Sequence, residues 1–285
     1  VSKILGLDHF LNRQSLCTDA TGAAVERNET THRVLRHETS ELSRLIAHGW
    51  SIAGLSPDHP AQPSVGFTGL VRLRRGDEAM TLSIDNIEKA MICFTPGTQI
   101  ATSKGMIRVE DLRGDEKVIT RDNAYQRLIW VGRQDLRSEE LSLLPYLQPI
   151  LIRKDAIDTG VPNRDILVSP NHRILIRSNR AASEFGHKEV LVAARDLMCI
   201  RGVDRIQTQE VSYIHLLFER HELIMSDVLW TESLQLGPRA ISGLGRQGQE
   251  EIRELFPKLE GYTSRDTYQQ VRRCLSSDEV RMIAR

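Results

Sequence analysis

The hydrophobic period of this chain changes near residue 67 and again near residue 240, and those two changes constrain its fold more than any other feature. From Phe67 the apolar residues recur in short runs with a period of two, cut by polar turns. "LVRLRRGDEAMTLSI" places Val71 and Leu73 on one side of a Gly-Asp turn and Met80, Leu82 and Ile84 on the other, so it predicts a hairpin. "NIEKAMICF" predicts a strand running into Cys93. "QIATSKGMIRVEDL" turns at Lys104-Gly105 and "EKVITRDNAYQRLIWVGR" at Asp122-Asn123. "DILVSPNHRILIRS" and "QEVSYIHLLFERHELIMSDVLWTESL" continue the pattern. A compact, mostly β domain of short strands is the expectation for residues 93–240.

The flanks differ. In residues 1–92, "TSELSRLIAHG" has the cap, face and terminal glycine of a short helix: Thr39 or Ser40, then Leu42, Leu45 and Ile46, then Gly49. "LSPDHPAQPSVG" carries three prolines in twelve residues and reads as a linker ahead of the hairpin. In residues 241–285 the period is helical again. Ile252, Leu255, Phe256 and Leu259 share a face that Pro257 should interrupt, and Ser276 with Glu279 has capping-box spacing. Three regions are therefore expected: an N-terminal α+β or β flank over 1–92, the β unit over 93–240, and a short helical tail over 241–285. The tail adds no Cys/His/Asp cluster, so chemistry in the β unit is expected to do without it.

Lys plus Arg and Asp plus Glu both number 38, which gives no support to a nucleic-acid surface. No apolar run approaches the roughly 18 residues of a membrane span. The stretch "VSKILGLDHFLNRQSL" is too broken for a Sec signal peptide, which leaves a cytoplasmic location or export by another route. Cys17, Cys93, Cys199 and Cys274 are scattered, with neither a disulfide framework nor a zinc ribbon in their spacing. No cofactor is called for.

Cys93 stands between a strand-like run and the turn Thr95-Pro96-Gly97. A thiol with a pKa near 8.5 attacks a carbonyl only with a base beside it, and a peptide nitrogen leaves only when protonated. A reactive Cys93 therefore demands a histidine held at a turn, with a small hydroxyl close by. "LVSPNHRILI" supplies both: Pro170 and Asn171 make the turn, His172 follows it, and Ser169 precedes His172 by three residues. "YIHLLFERHELIM" adds His215 and His221 on apolar stretches. Taken singly, each histidine reads first as a satisfied core or turn residue, and Cys93 as a small buried hydrophobe.

Together, "CFTPGT", "GMIRVEDLRGDEKVITRD", "VSPNHRILI" and "HELIMSD" resemble the Hint family, the self-processing domain shared by hedgehog C-terminal regions and inteins, and most of all its bacterial intein-like branch. The resemblance covers residues 93 to about 240. It implies a nucleophile at Cys93. It aligns the family's Thr-x-x-His with Ser169-Pro170-Asn171-His172, serine replacing threonine. His215 falls near where many inteins carry an aspartate, and His221 on the family's later histidine. Splicing inteins end in His-Asn before Cys, Ser or Thr, whereas this chain reads "VLWTESLQLGPR", so splicing is not expected.

The implied chemistry is autocatalytic rather than turnover catalysis. Cys93 attacks the Ile92 carbonyl in an N-to-S acyl shift, and the thioester passes residues 1–92 to water, a thiol or another small nucleophile. His172 is expected to polarise the bond and protonate the leaving nitrogen. Ser169 would orient His172 or bond near the oxyanion, and His215 or His221 would take the thiol proton. Three alternatives stand beside this: a non-processing Hint-like binding module, a zinc site built from Cys93, His172, His215 and His221, and a cysteine hydrolase acting on other chains.

Overall fold

The computed structural model describes residues 31–36, 48–57, 67–87, 92–236, 244, 246–255 and 270–283. The expected helix at 39–49 lies, but for its last two residues, outside them, as do the end of the proline-rich stretch and the lead-in at 88–91. The described strands are β1 (Thr31–Arg36), β2 (Ser51–Pro57), β3 (Phe67–Arg75), β4 (Glu78–Ile87), β5 (Gln99–Thr102), β6 (Gly105–Arg108), β7 (Lys117–Ile119), β8 (Tyr125–Arg127) and β9 (Trp130–Leu136). They continue with β10 (Ile150–Ile152), β11 (Ile166–Val168), β12 (Arg173–Arg177), β13 (Glu189–Ala193), β14 (Val203–Arg205), β15 (Val211–Leu217), β16 (Leu223–Ser226), β17 (Leu229–Glu232) and β18 (Arg273–Cys274). Four short α-helices accompany them among the described residues: α1 (Ser138–Leu143), α2 (Asn179–Phe185), α3 (Arg246–Leu255) and α4 (Ser277–Ile283). The fold is mostly β.

The N-terminal flank is a four-stranded sheet in the order β1-β4-β3-β2. Its β3–β4 hairpin turns at Gly76-Asp77, with Val71 opposite Leu82 and Leu73 opposite Met80. The proline-rich stretch is partly strand, because β2 runs to Pro57 on the edge of this sheet, where a missing N–H costs no ladder bond.

The β unit curls. One long sheet runs β18-β13-β12-β17-β16-β5-β7-β8, while β11-β10-β14 and β15-β9 form two smaller ones. The runs on either side of Pro170-Asn171 do not pair with each other as a hairpin: β11 belongs with β10, and β12 with β13 and β17. The turn instead carries the chain from one sheet to another, and this brings distant strands to Cys93. Phe94 bridges to both Val168 and Ile214, which fixes its neighbour Cys93 between β11 and β15. Apolar residues such as Phe94, Ile100, Val118 and Ile224 fill the adjoining core.

The described end of the tail packs on the β unit. β18 adds a parallel edge to β13, and Leu275 and Val280 enter the same core as Ile174 and Val190. Ser276 caps α4 as its spacing predicts: Glu279 N–H donates to Ser276 Oγ at 3.4 Å, and Ser276 N–H to Glu279 Oε2 at 2.8 Å. α3 is described over Arg246–Leu255, and the interruption expected at Pro257 lies outside the described residues.

Candidate functional site: the Ile92–Cys93 peptide

Cys93 is fully buried, and its peptide is gripped on several sides. Thr95-Pro96-Gly97-Thr98 closes a tight turn behind it, with Thr98 N–H on Thr95 O at 3.3 Å. Gly97 has φ +92°, the left-handed value that proline followed by glycine permits. Thr95 Oγ1 donates to Leu167 O at 2.8 Å and ties the turn to β11. Ser169, at the end of β11, brackets Cys93: its backbone N–H donates to Cys93 O at 3.0 Å, and its hydroxyl accepts Cys93 N–H at 2.9 Å. The hydroxyl thus sits on the nitrogen of the Ile92–Cys93 bond, not on the oxyanion side.

His215, on β15, reaches the other end of the same bond. Its Nδ1 is 3.0 Å from Ile92 O, and both ring nitrogens lie 3.3 Å from Cys93 Sγ. A carbonyl oxygen only accepts, so the contact with Ile92 requires the proton on Nδ1. Nε2 is then a lone pair facing the thiol. Burial pushes His215 down to about 4; the bond to Ile92 opposes that shift, and His172 adds to it.

His172 follows the Pro170-Asn171 turn, which is closed by its own N–H on Ser169 O at 3.0 Å. Its ring packs edge-on against Phe94 with centroids 4.4 Å apart. Both ring nitrogens are buried and lack a hydrogen-bond partner among the described residues. Burial pushes His172 down to about 4, while Glu232 and the nearby Cys93 backbone favour its charged form.

His221 turns away to a different cluster. Its Nε2 is 3.2 Å from Glu232 Oε2. Glu232, fully buried on β17, also accepts Arg173 N–H at 3.0 Å and Arg173 Nη1 at 3.1 Å. Burial would raise the Glu232 carboxyl, but His221 and Arg173 bring it below the usual carboxylate range. The sequence analysis did not single out Glu232. The structure therefore gathers Cys93, Ser169, His215 and His172 about one peptide bond and places His221 with Glu232. No group of three or more His, Cys, Asp or Glu side chains among the described residues is arranged to hold a metal ion. No helix there is long and apolar enough to cross a membrane.

The gp41-1 intein is similar at 13% identity, over 49% of this chain and 96% of the intein, with a TM-score of 0.30. The bacterial intein-like domain from Clostridium thermocellum is similar at 13% identity, over 50% of this chain and 99% of that domain, with a TM-score of 0.34. A DnaB intein from Synechocystis sp. PCC 6803 is similar at 12% identity, over 50% of this chain and 98% of the intein, with a TM-score of 0.29. No protein of curated function matches. The model of the Hint domain matches residues 92–238, just over half of the 285 residues, and by that match this chain belongs to the Hint domain family.

Proposed function

We propose that this Hint domain cleaves its own chain at Ile92–Cys93 through a thioester. The observation that carries the reading is His215 spanning the thiol and the carbonyl of that single bond. Nε2 takes the proton from Sγ while Nδ1–H polarises Ile92 O. Sγ then bonds to the Ile92 carbonyl carbon, the carbon–nitrogen bond breaks, and one proton must reach the departing nitrogen. The transfer is proton-neutral: one leaves sulfur and one arrives on nitrogen. Ser169 Oγ already rests on that nitrogen. His172 is buried beside the Cys93 backbone, which favours its charged form, while its ring nitrogens make no close hydrogen bond among the described residues. Neutral at rest, it acts as the acid only once the proton that His215 takes from sulfur has passed to it, and it then bonds to the nitrogen as that atom pyramidalises. His172 disfavours a charge on His215, which favours passing that proton on.

Residues 1–92 are then the acyl group and own-chain substrate, 93–240 the processing domain, and 241–285 a C-terminal tail. Water, a thiol or another small nucleophile resolves the thioester. Splicing is outside the proposal, since β17 and its exit read Leu229-Trp230-Thr231-Glu232-Ser233 with no asparagine to cyclise. The test is to incubate the purified chain with and without hydroxylamine. Fragmentation that hydroxylamine accelerates and Cys93→Ala abolishes supports the thioester. A chain that stays whole would leave a non-processing Hint module, with Cys93 as packing.

A further inference from the structure

The tail takes part in the environment of the Ile92–Cys93 bond, contrary to what its lack of reactive residues suggests. Gly132 on β9 lies in register opposite His215 on β15. A Cβ on Gly132 would fall 1.9 Å from Trp130 Cη2, so the indole of Trp130 lies across that glycine and only a glycine admits it. There the indole stacks near His215, with ring centroids 6.4 Å apart and planes at 21°. α3 also packs on the indole. A Cβ on Gly248 would meet Trp130 Cζ2 at 3.5 Å, and Trp130 Nε1 donates to Glu251 Oε2 at 2.6 Å. Ile92 and Trp130 share one buried apolar cluster with Leu244 and Ile252 of the tail.

We propose that α3 is a working part of the processing site, and that Trp130, which lies across Gly132 and is bonded to α3, is a positioning residue for His215. The proposal builds on the self-cleavage reading above. A histidine that serves thiol and carbonyl together tolerates little rotation. An aromatic wall anchored by α3 supplies that restraint without touching a reacting atom. Glu251 is the anchor, since its carboxylate sets where the indole N–H points.

The test uses the full chain. In a Cys93→Ala background, which keeps the bond intact, 15N NMR of the imidazoles reports the tautomer and environment of His215. Glu251→Ala and Gly132→Ala should each shift the His215 ring signals while those of His221, in the separate Glu232 cluster, stay in place. Glu251→Gln retains an acceptor for the indole N–H and should restore them. If Gly132→Ala does not fold, the Glu251 pair decides alone. In chains that keep Cys93, Glu251→Ala should slow hydroxylamine-dependent release by about 10- to 100-fold, a misplacement effect, and Glu251→Gln should lie near the parent. His215 signals that are the same in the parent and in folded Glu251→Ala overturn the proposal, whatever the release rates. A parent that releases no fragment overturns the self-cleavage reading instead, and the NMR comparison still decides the brace.

Discussion

His215 Nδ1 lies 3.0 Å from the carbonyl oxygen of Ile92, and the same ring lies 3.3 Å from Cys93 Sγ. One imidazole therefore faces the nucleophile and the electrophile of a single peptide bond. His215→Ala removes both contacts. Fragment release in hydroxylamine should slow by roughly 10²–10⁴-fold, the range of a lost general acid–base group. His221→Ala in a folded chain should slow it far less, because His221 bonds to Glu232. Equal losses in the two variants would show that the division of labour is wrong.

Ser169 should matter through the bond nitrogen. Ser169→Ala leaves the buried Cys93 N–H without the acceptor that now sits 2.9 Å away. That should cost about 1–3 kcal/mol of stability, read from denaturant midpoints, and slow release as well. A variant as stable and as fast as the parent would remove Ser169 from the site.

How much of this was legible in the sequence follows from what each residue needs locally. Cys93, Ser169 and His172 stand beside turn residues whose backbone chemistry announces them, and the period of two announced the β unit around them. The choice between His215 and His221 was not legible, since both sit on apolar stretches six residues apart. Strand register decides it, by setting His215 opposite Gly132 across β9. Glu232 looked like an ordinary strand residue in "WTES". Only the insertion of β17 between β12 and β16 buries it. The amphipathic face of α3 was visible too, but periodicity says that a face is buried and not what covers it. That Trp130 and Ile92 lie beneath it is a long-range fact.

Glu232 should therefore be a stability residue of the first rank. Its fully buried carboxylate bonds to buried His221 and to Arg173, whose side chain is partly exposed. Glu232→Ala leaves those donors facing an apolar hole and should cost about 3 kcal/mol or more. Chemical denaturation at neutral pH measures it. A loss below about 1 kcal/mol would mean that the cluster contributes little net.

Acid should weaken the fold through His172 and His215. Both are held down to about 4 from an ordinary 6.5, chiefly by burial. Between those values the unfolded chain binds more protons than the folded one, so stability is full above about pH 6.5 and falls as pH drops toward 4. Each histidine accounts for about 3 kcal/mol across that window. Denaturant midpoints at pH 7, 5.5 and 4.5 should decline steadily, and less steeply in His172→Asn. A flat profile across this window would contradict the burial of neutral rings.

The most direct measurement is the mass of the N-terminal fragment released by hydroxylamine. A thioester at Ile92 predicts a fragment ending at Ile92 as its hydroxamate, paired with one beginning at Cys93. Neither should form from Cys93→Ala, whereas both should persist when Cys199 and Cys274 are replaced. An intact chain after prolonged incubation, or the same cleavage in Cys93→Ala, would contradict the account.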